Sequence, residues 1–160
     1  MQAPTKNKGF TIIEVVLVLA IAGLIFLVVF LALPALQRGQ RDTQRKQDLG
    51  RFMSQLTAYQ SNNQGALPTD WTATGPFLSN YLTNNQKFAD PSTGSNYTVT
   101  SPTPTATAPA PTAGQAFVYL SASCAPGNTS GVAPLATTNN RVVAVVFYQE
   151  QGALTCQSNQ

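Results

Sequence analysis

The sequence contains no histidine, so it lacks the commonest metal ligand and the commonest general base at neutral pH. Charge is scarce as well, with nine basic and six acidic residues among 160. There is no nucleophile motif and no phosphate-binding glycine pattern, and Asp70 and Asp90 stand twenty residues apart in loop-like stretches. These absences point away from an enzyme, and no residue pattern implies a cofactor or a metal. Two cysteines, Cys124 and Cys156, lie in the last quarter of the chain. In an exported protein an even count reads as one disulfide. The other reading is a reactive thiol, for which the chain offers no histidine as activator.

What the sequence does have is one long apolar run. Residues 15–36 contain no charged side chain, and roughly 20 helical residues suffice to cross a hydrocarbon core. A secretory signal has an apolar region of about 7–15 residues ending in a small-residue cleavage triplet. This run is longer and has no such triplet near its end. A plain signal anchor is the bland reading that survives. Lys6 and Lys8 precede the run and Arg38, Arg41, Arg45, Lys46 and Arg51 follow it, and the positive-inside rule puts the leader in the cytoplasm. Beyond Arg51 only Lys87 and Arg141 stand against Asp70, Asp90 and Glu150, so the net charge of +3 implies no basic face for a phosphate backbone. DNA stays a possible partner without support from the residues.

Glu14 sits at the edge of the apolar run, where an ionised carboxylate costs on the order of 2–3 kcal/mol. A simple anchor gains nothing from it. The surrounding residues are Lys8-Gly9-Phe10-Thr11-Ile12-Ile13-Glu14: a basic leader ending in glycine, an aromatic residue, and an acid four positions on. This pattern resembles the type IV pilin and type II secretion pseudopilin family. The resemblance covers residues 6–34.

It implies that a prepilin peptidase cuts between Gly9 and Phe10, that Phe10 is then N-methylated, and that Glu14 assists assembly. Glycine leaves the scissile peptide accessible. Glu14, unpaired in the membrane, would meet the Phe10 ammonium of a neighbouring subunit in a filament. Gly23 lies where such proteins commonly carry a glycine, whereas Pro34 lies later than the usual proline, placing any bent or melted region between Gly23 and Pro34. The implied partners are the peptidase, identical or homologous subunits in a helical homopolymer, an inner-membrane assembly platform and the cytoplasmic membrane. The implied location is that membrane first, with the head outside, and an extracellular filament after assembly. The implied role is structural. A minor pilin or pseudopilin of a secretion or DNA-uptake system is the alternative, and a simple membrane-anchored binding module a more distant one. Adhesion, surface motility, DNA uptake and secretion are all served by such filaments.

The implied fold is α+β and pilin-like, a long N-terminal helix packed on a small antiparallel sheet. Its divisions are a leader at 1–9, a membrane and assembly helix at 10–36, an amphipathic helix at 37–64 and a head at 65–160. The residues agree with this plan. Leu49, Phe52, Met53, Leu56 and Tyr59 recur at helical spacing and form a core face. The charged stretch 38–51 reads as a solvated stem with Arg38–Asp42 and Asp42–Lys46 pairs at i,i+4. Gly65 offers a left-handed cap before Pro68. Trp71 is a core anchor, with a sugar platform as the sharper alternative, and a short helix is expected near 75–84. The Pro/Thr-rich residues 101–114 read as a surface excursion. Strands are expected at 97–100, 116–122, 141–148 and 153–156, the last two joined by a turn at 149–152. The resemblance further implies that a Cys124–Cys156 bond staples the C-terminal region.

Overall fold

The structure, a computed structural model, describes residues 9–84, 86–103, 110–124, 135–150 and 154–159. Lys6 and Lys8, the middle of the Pro/Thr-rich stretch and the second half of the turn expected at 149–152 lie outside the described residues. The chain divides into two compact units, Met1–Gln37 and Arg38–Gln160. One helix, α1 (Ile12–Asn62), belongs to both.

In the first unit α1 is unbroken across Gly23 and Pro34. Pro34 has no N–H to donate, so the helix loses one backbone hydrogen bond there. Every large apolar side chain in 12–36 is at least 47% exposed. An 18-residue window of α1 reaches a mean hydropathy of 3.3 with no part of it buried. A helix that is apolar all round belongs in a surround that is itself apolar.

In the second unit, Leu49, Phe52, Met53 and Leu56 of α1 are buried, as their spacing predicts. They pack against a four-stranded sheet of order β1-β2-β5-β6, formed by β1 (Thr98–Thr100), β2 (Gln115–Leu120), β5 (Val143–Phe147) and β6 (Thr155–Ser158). Alternation sorts the strand residues. Ala116, Val118, Val143, Val145 and Phe147 join the cluster under α1, while Phe117, Tyr119, Ala144 and Val146 form a second cluster on the opposite face. Ala122 joins that cluster from a two-stranded ribbon, β3 (Ala122–Ser123) with β4 (Leu135–Ala136). Burial on both faces explains why β5 is apolar at every position instead of every second one.

Two features depart from expectation. The sheet is mixed: β1 runs parallel to β2, while β2–β5 and β5–β6 are antiparallel. A tight turn can only reverse a chain, and a parallel neighbour needs a long connection. The Pro/Thr-rich residues 101–114 supply it, so this stretch is a crossover in the topology. The second departure is the expected helix near 75–84, which is a π-helical turn, Leu78–Leu82, with the Thr83 N–H donating to the Leu78 carbonyl at 2.9 Å. Arg51 reaches over from α1 and donates to the carbonyl of Leu82, an acceptor that this turn leaves free, and at 3.1 Å to that of Lys87 beyond it.

Trp71 is a core residue, 8% exposed and stacked on Phe52 at 6.2 Å between centroids. Phe77 meets Phe52 edge-on at 5.3 Å, a geometry worth about 0.5–1.5 kcal/mol beyond area burial. The α1 C-terminus closes with the Gly65 N–H on the Gln60 carbonyl at 2.7 Å, and the left-handed residues are Gln64 (φ 55) together with Gly65 (φ 82). The left-handed backbone thus starts one residue before the glycine singled out by the sequence.

Candidate functional site

The N-terminal site is built by the start of α1. Gly9 and Phe10 precede the helix, Phe10 is 91% exposed, and an added Cβ at Gly9 would meet nothing within 4 Å. The Gly9–Phe10 peptide is therefore sterically open. Thr11 is the N-cap: its carbonyl accepts the first helical bond from the Val15 N–H at 3.3 Å. Its hydroxyl accepts from the Glu14 N–H at 3.3 Å, and the Glu14 carboxylate accepts from the Thr11 N–H at 2.8 Å and the Thr11 hydroxyl at 2.7 Å. Thr11 and Glu14 thus form a reciprocal capping box.

Within the chain Thr11 supplies two donors to the Glu14 carboxylate. The Thr-x-x-Glu spacing that signals such a box was present in the sequence, and Thr11 was the residue that reasoning from the acid alone missed. Gly23 and Pro34 lie further along α1 and make no part of this cluster.

The second unit holds a separate cluster of charge. Arg45, 1% exposed, donates to Asp90 at 2.7 and 3.1 Å, to Asp42 at 2.9 Å and to Glu150 at 3.3 Å. Arg41 pairs with Glu150 at 2.7 Å, and the Glu150 N–H donates to Asp42 at 2.8 Å. The Arg45 guanidinium also lies 5.3 Å from the Tyr148 ring centroid. The stretch expected as a solvated stem therefore turns one side into the head, where Asp42 pairs with Arg45 at i,i+3. The signal was legible in the spacing: Arg45, Leu49, Phe52 and Leu56 lie on one helical stripe.

Burial raises the Asp90 carboxyl, but the hydrogen bonds from Arg45 and Ser92 outweigh it and hold Asp90 well below the usual carboxylate range. The Arg41 hydrogen bond lowers Glu150 in the same direction. Burial pushes Asp48 up, tempered by the hydroxyl of Tyr97, which donates to it at 3.2 Å. Each acid here is answered by a donor, so the cluster is a structural clasp joining α1, the loop at Asp90 and the end of β5. No group of three or more potential metal ligands exists among the described residues.

Cys124 and Cys156 are joined, with Cα atoms 5.9 Å apart. The bond lies beside the second cluster, against Phe117, Tyr119 and Val146, and ties the segment after β3 to β6.

With the open Gly9–Phe10 junction, the capped acid and the bare apolar helix in place, comparison with known proteins is decisive over one segment. Residues 4–30 match the prokaryotic N-terminal methylation motif. That motif is the signature of type IV pilins and pseudopilins. It covers Gly9, Phe10, Glu14 and Gly23, and stops short of Pro34. No curated protein and no solved structure matches the chain. Proteins that carry the methylation motif are structural, are processed by a prepilin peptidase and assemble with other pilins, and both motif and apolar helix agree with anchoring in a membrane.

Proposed function

We propose that this chain is the precursor of a structural subunit of a type IV pilus-like filament. A prepilin peptidase cuts between Gly9 and Phe10, Phe10 becomes N-methylated, and the subunit waits in the cytoplasmic membrane with its head outside. An inner-membrane assembly platform then lifts it into a helical homopolymer of identical or homologous subunits. The observation that carries this reading is the methylation motif at residues 4–30 together with a helical stretch, 12–36, whose large apolar side chains are exposed all round. Such a helix is stable only where lipid or copies of itself replace water. At about 25 cal/mol per Å² of apolar surface, exposing it to solvent is prohibitive, and exchanging lipid for neighbouring helices is nearly neutral in this term. The choice between membrane and filament is then left to packing and to the charges near Phe10.

Gly23 and Pro34 are the positions where α1 yields most readily, since glycine weakens a helix and proline removes a hydrogen bond. Mass spectrometry of the mature protein tests the reading. The first residue is expected to be Phe10 carrying an N-methyl group, and an intact Met1 terminus in cells with an active prepilin peptidase would overturn it.

A further inference from the structure

Where the last turns of α1 meet the residues entering β5 and leaving β6 there is an open groove of about 760 Å³. Among the described residues Val142 is the only apolar side chain lining it, and Gln60, Gln64, Asn139, Arg141 and Asn159 give it a polar wall.

The hydrogen bonds within this wall are directional. Asn159 Oδ1 accepts from the Val143 N–H at 2.8 Å, Gln60 Oε1 accepts from Asn159 Nδ2 at 3.3 Å, and Asn139 Oδ1 accepts from the Arg141 N–H at 3.0 Å. The Arg141 carbonyl accepts from both Asn159 and Gln60, at 3.0 and 3.4 Å. The side-chain oxygens of Asn139, Asn159 and Gln60 are thus each engaged inside the fold. The Asn139 Nδ2 group, the whole Gln64 amide and the five side-chain N–H bonds of Arg141 remain open to a ligand.

Arg141 is exposed and has no ion pair among the described residues. Asp42, Asp90 and Glu150 are engaged by Arg41 and Arg45, Asp48 accepts from Tyr97, and Asp70 accepts from the Thr72 N–H at 2.9 Å. None of these acids lines the groove. The guanidinium packs over Gly65, where an added Cβ would stand 3.4 Å from it, so it is held at the rim. Its charge also offsets the negative end of α1, whose last turn has no basic residue of its own. That structural service needs only a positive charge and leaves the planar fork free.

We propose that this groove binds a carboxylate-bearing sugar, a uronate unit of an acidic polysaccharide, with Arg141 forking the carboxylate and the amides of Asn139 and Gln64 meeting ring hydroxyls. A planar carboxylate is the partner that a single guanidinium matches bidentately. A nucleic acid fits less well, because a phosphate backbone asks for several cations in a row and exposed bases ask for aromatic platforms. Among the described residues the groove offers one cation and no aromatic ring. The inference stands on the head alone and does not depend on filament assembly.

The test is titration of the full-length chain in detergent micelles with a galacturonate tetramer at low salt, followed by calorimetry. A neutral galactose tetramer and a single-stranded oligonucleotide serve as comparison ligands. Saturable binding of the galacturonate alone is expected, weakened about tenfold or more by Arg141→Gln. Arg141→Lys keeps the charge at the end of α1, so its unfolding midpoint should match the parent while its galacturonate affinity still falls. Equal binding of the neutral tetramer, tighter binding of the oligonucleotide, or undiminished galacturonate binding in Arg141→Lys and Arg141→Gln would each overturn the assignment.

Discussion

Replacing Arg45 by methionine keeps an unbranched, flexible stem and much of the volume of the side chain while removing the guanidinium donors from the centre of the clasp. Asp90, 1% exposed, would lose both guanidinium contacts, at 2.7 and 3.1 Å, and its Oδ2 would have no partner among those described here. Its Oδ1 would keep the Ser92 hydroxyl and the N–H groups of Ser92, at 2.8 Å, and Thr93, at 3.2 Å. Glu150 would keep Arg41. Breaking a buried ion pair from one side costs about 3–5 kcal/mol, because the remaining charge stays buried. The retained donors on Asp90 place Arg45→Met at the lower end, about 3 kcal/mol. For a head of this size that corresponds to a fall of roughly 10 °C in Tm. The assay is thermal unfolding of the full chain in detergent, followed by the near-ultraviolet signal of Trp71 and the tyrosines, with exposed Arg38→Met as control. The pH dependence carries its own sign. Asp90 is held below its ordinary value in the fold. Its contribution is therefore complete above the unfolded value of about 3.9 and is lost as pH falls through the folded one. Parent and variant should differ most at neutral pH and converge below about pH 4. A loss under about 1 kcal/mol at pH 7, or a gap that does not close in acid, would refute the view that these charges clasp the head.

Converting both Cys124 and Cys156 to serine opens a link across a sequence separation of 32 residues, which should cost about 3–4 kcal/mol in denaturant unfolding under oxidising conditions. A loss near zero would mean that the β3–β4 ribbon holds to the second cluster unaided. Glu14→Ala and Glu14→Gln should both be cleaved normally, and both should enter filaments poorly when sheared filaments are quantified by immunoblot. Normal incorporation of Glu14→Gln would remove the charge from the account of assembly.

What could be read from the sequence was whatever depends on neighbours along the chain. The stripe from Leu49 to Tyr59, the strand around Val143 and Phe147, and the junction Gly9-Phe10 with its acid at 14 are all set by spacing within one element, and the structure has helix, strand and open junction at those places. What depended on distant partners was not readable. The parallel pairing of β1 with β2 exists only because the crossover brings Thr98 beside Gln115, and the ribbon that adds Ala122 to the second cluster pairs it with Ala136. Arg45 is the instructive case. Residue type argued for solvent and stripe position argued for the core, and position won because Asp90 and Glu150 arrive from 45 and 105 residues away to meet it. A charged residue on an apolar stripe is better read as a request for a buried partner than as a solvated exception.

The capping box sharpens what Glu14 contributes. An unpaired carboxylate beside hydrocarbon argues for function through its cost alone, but Thr11 gives Glu14 two donors and a local task. A cap of this kind is worth about 1 kcal/mol to any helix, including that of a plain anchor. The acid by itself therefore discriminates less than its charge suggests, and the weight of the assignment shifts to the Gly9–Phe10 junction and the matched motif. Glutamine separates the two tasks. It can still reach back to the Thr11 N–H, as a capping box allows, yet it cannot balance an ammonium on a neighbouring Phe10. If the acid served only to start α1, alanine would hurt and glutamine would not. If it balances charge between subunits, the two substitutions fail alike, and helix content measured by circular dichroism remains at the parent level in Glu14→Gln.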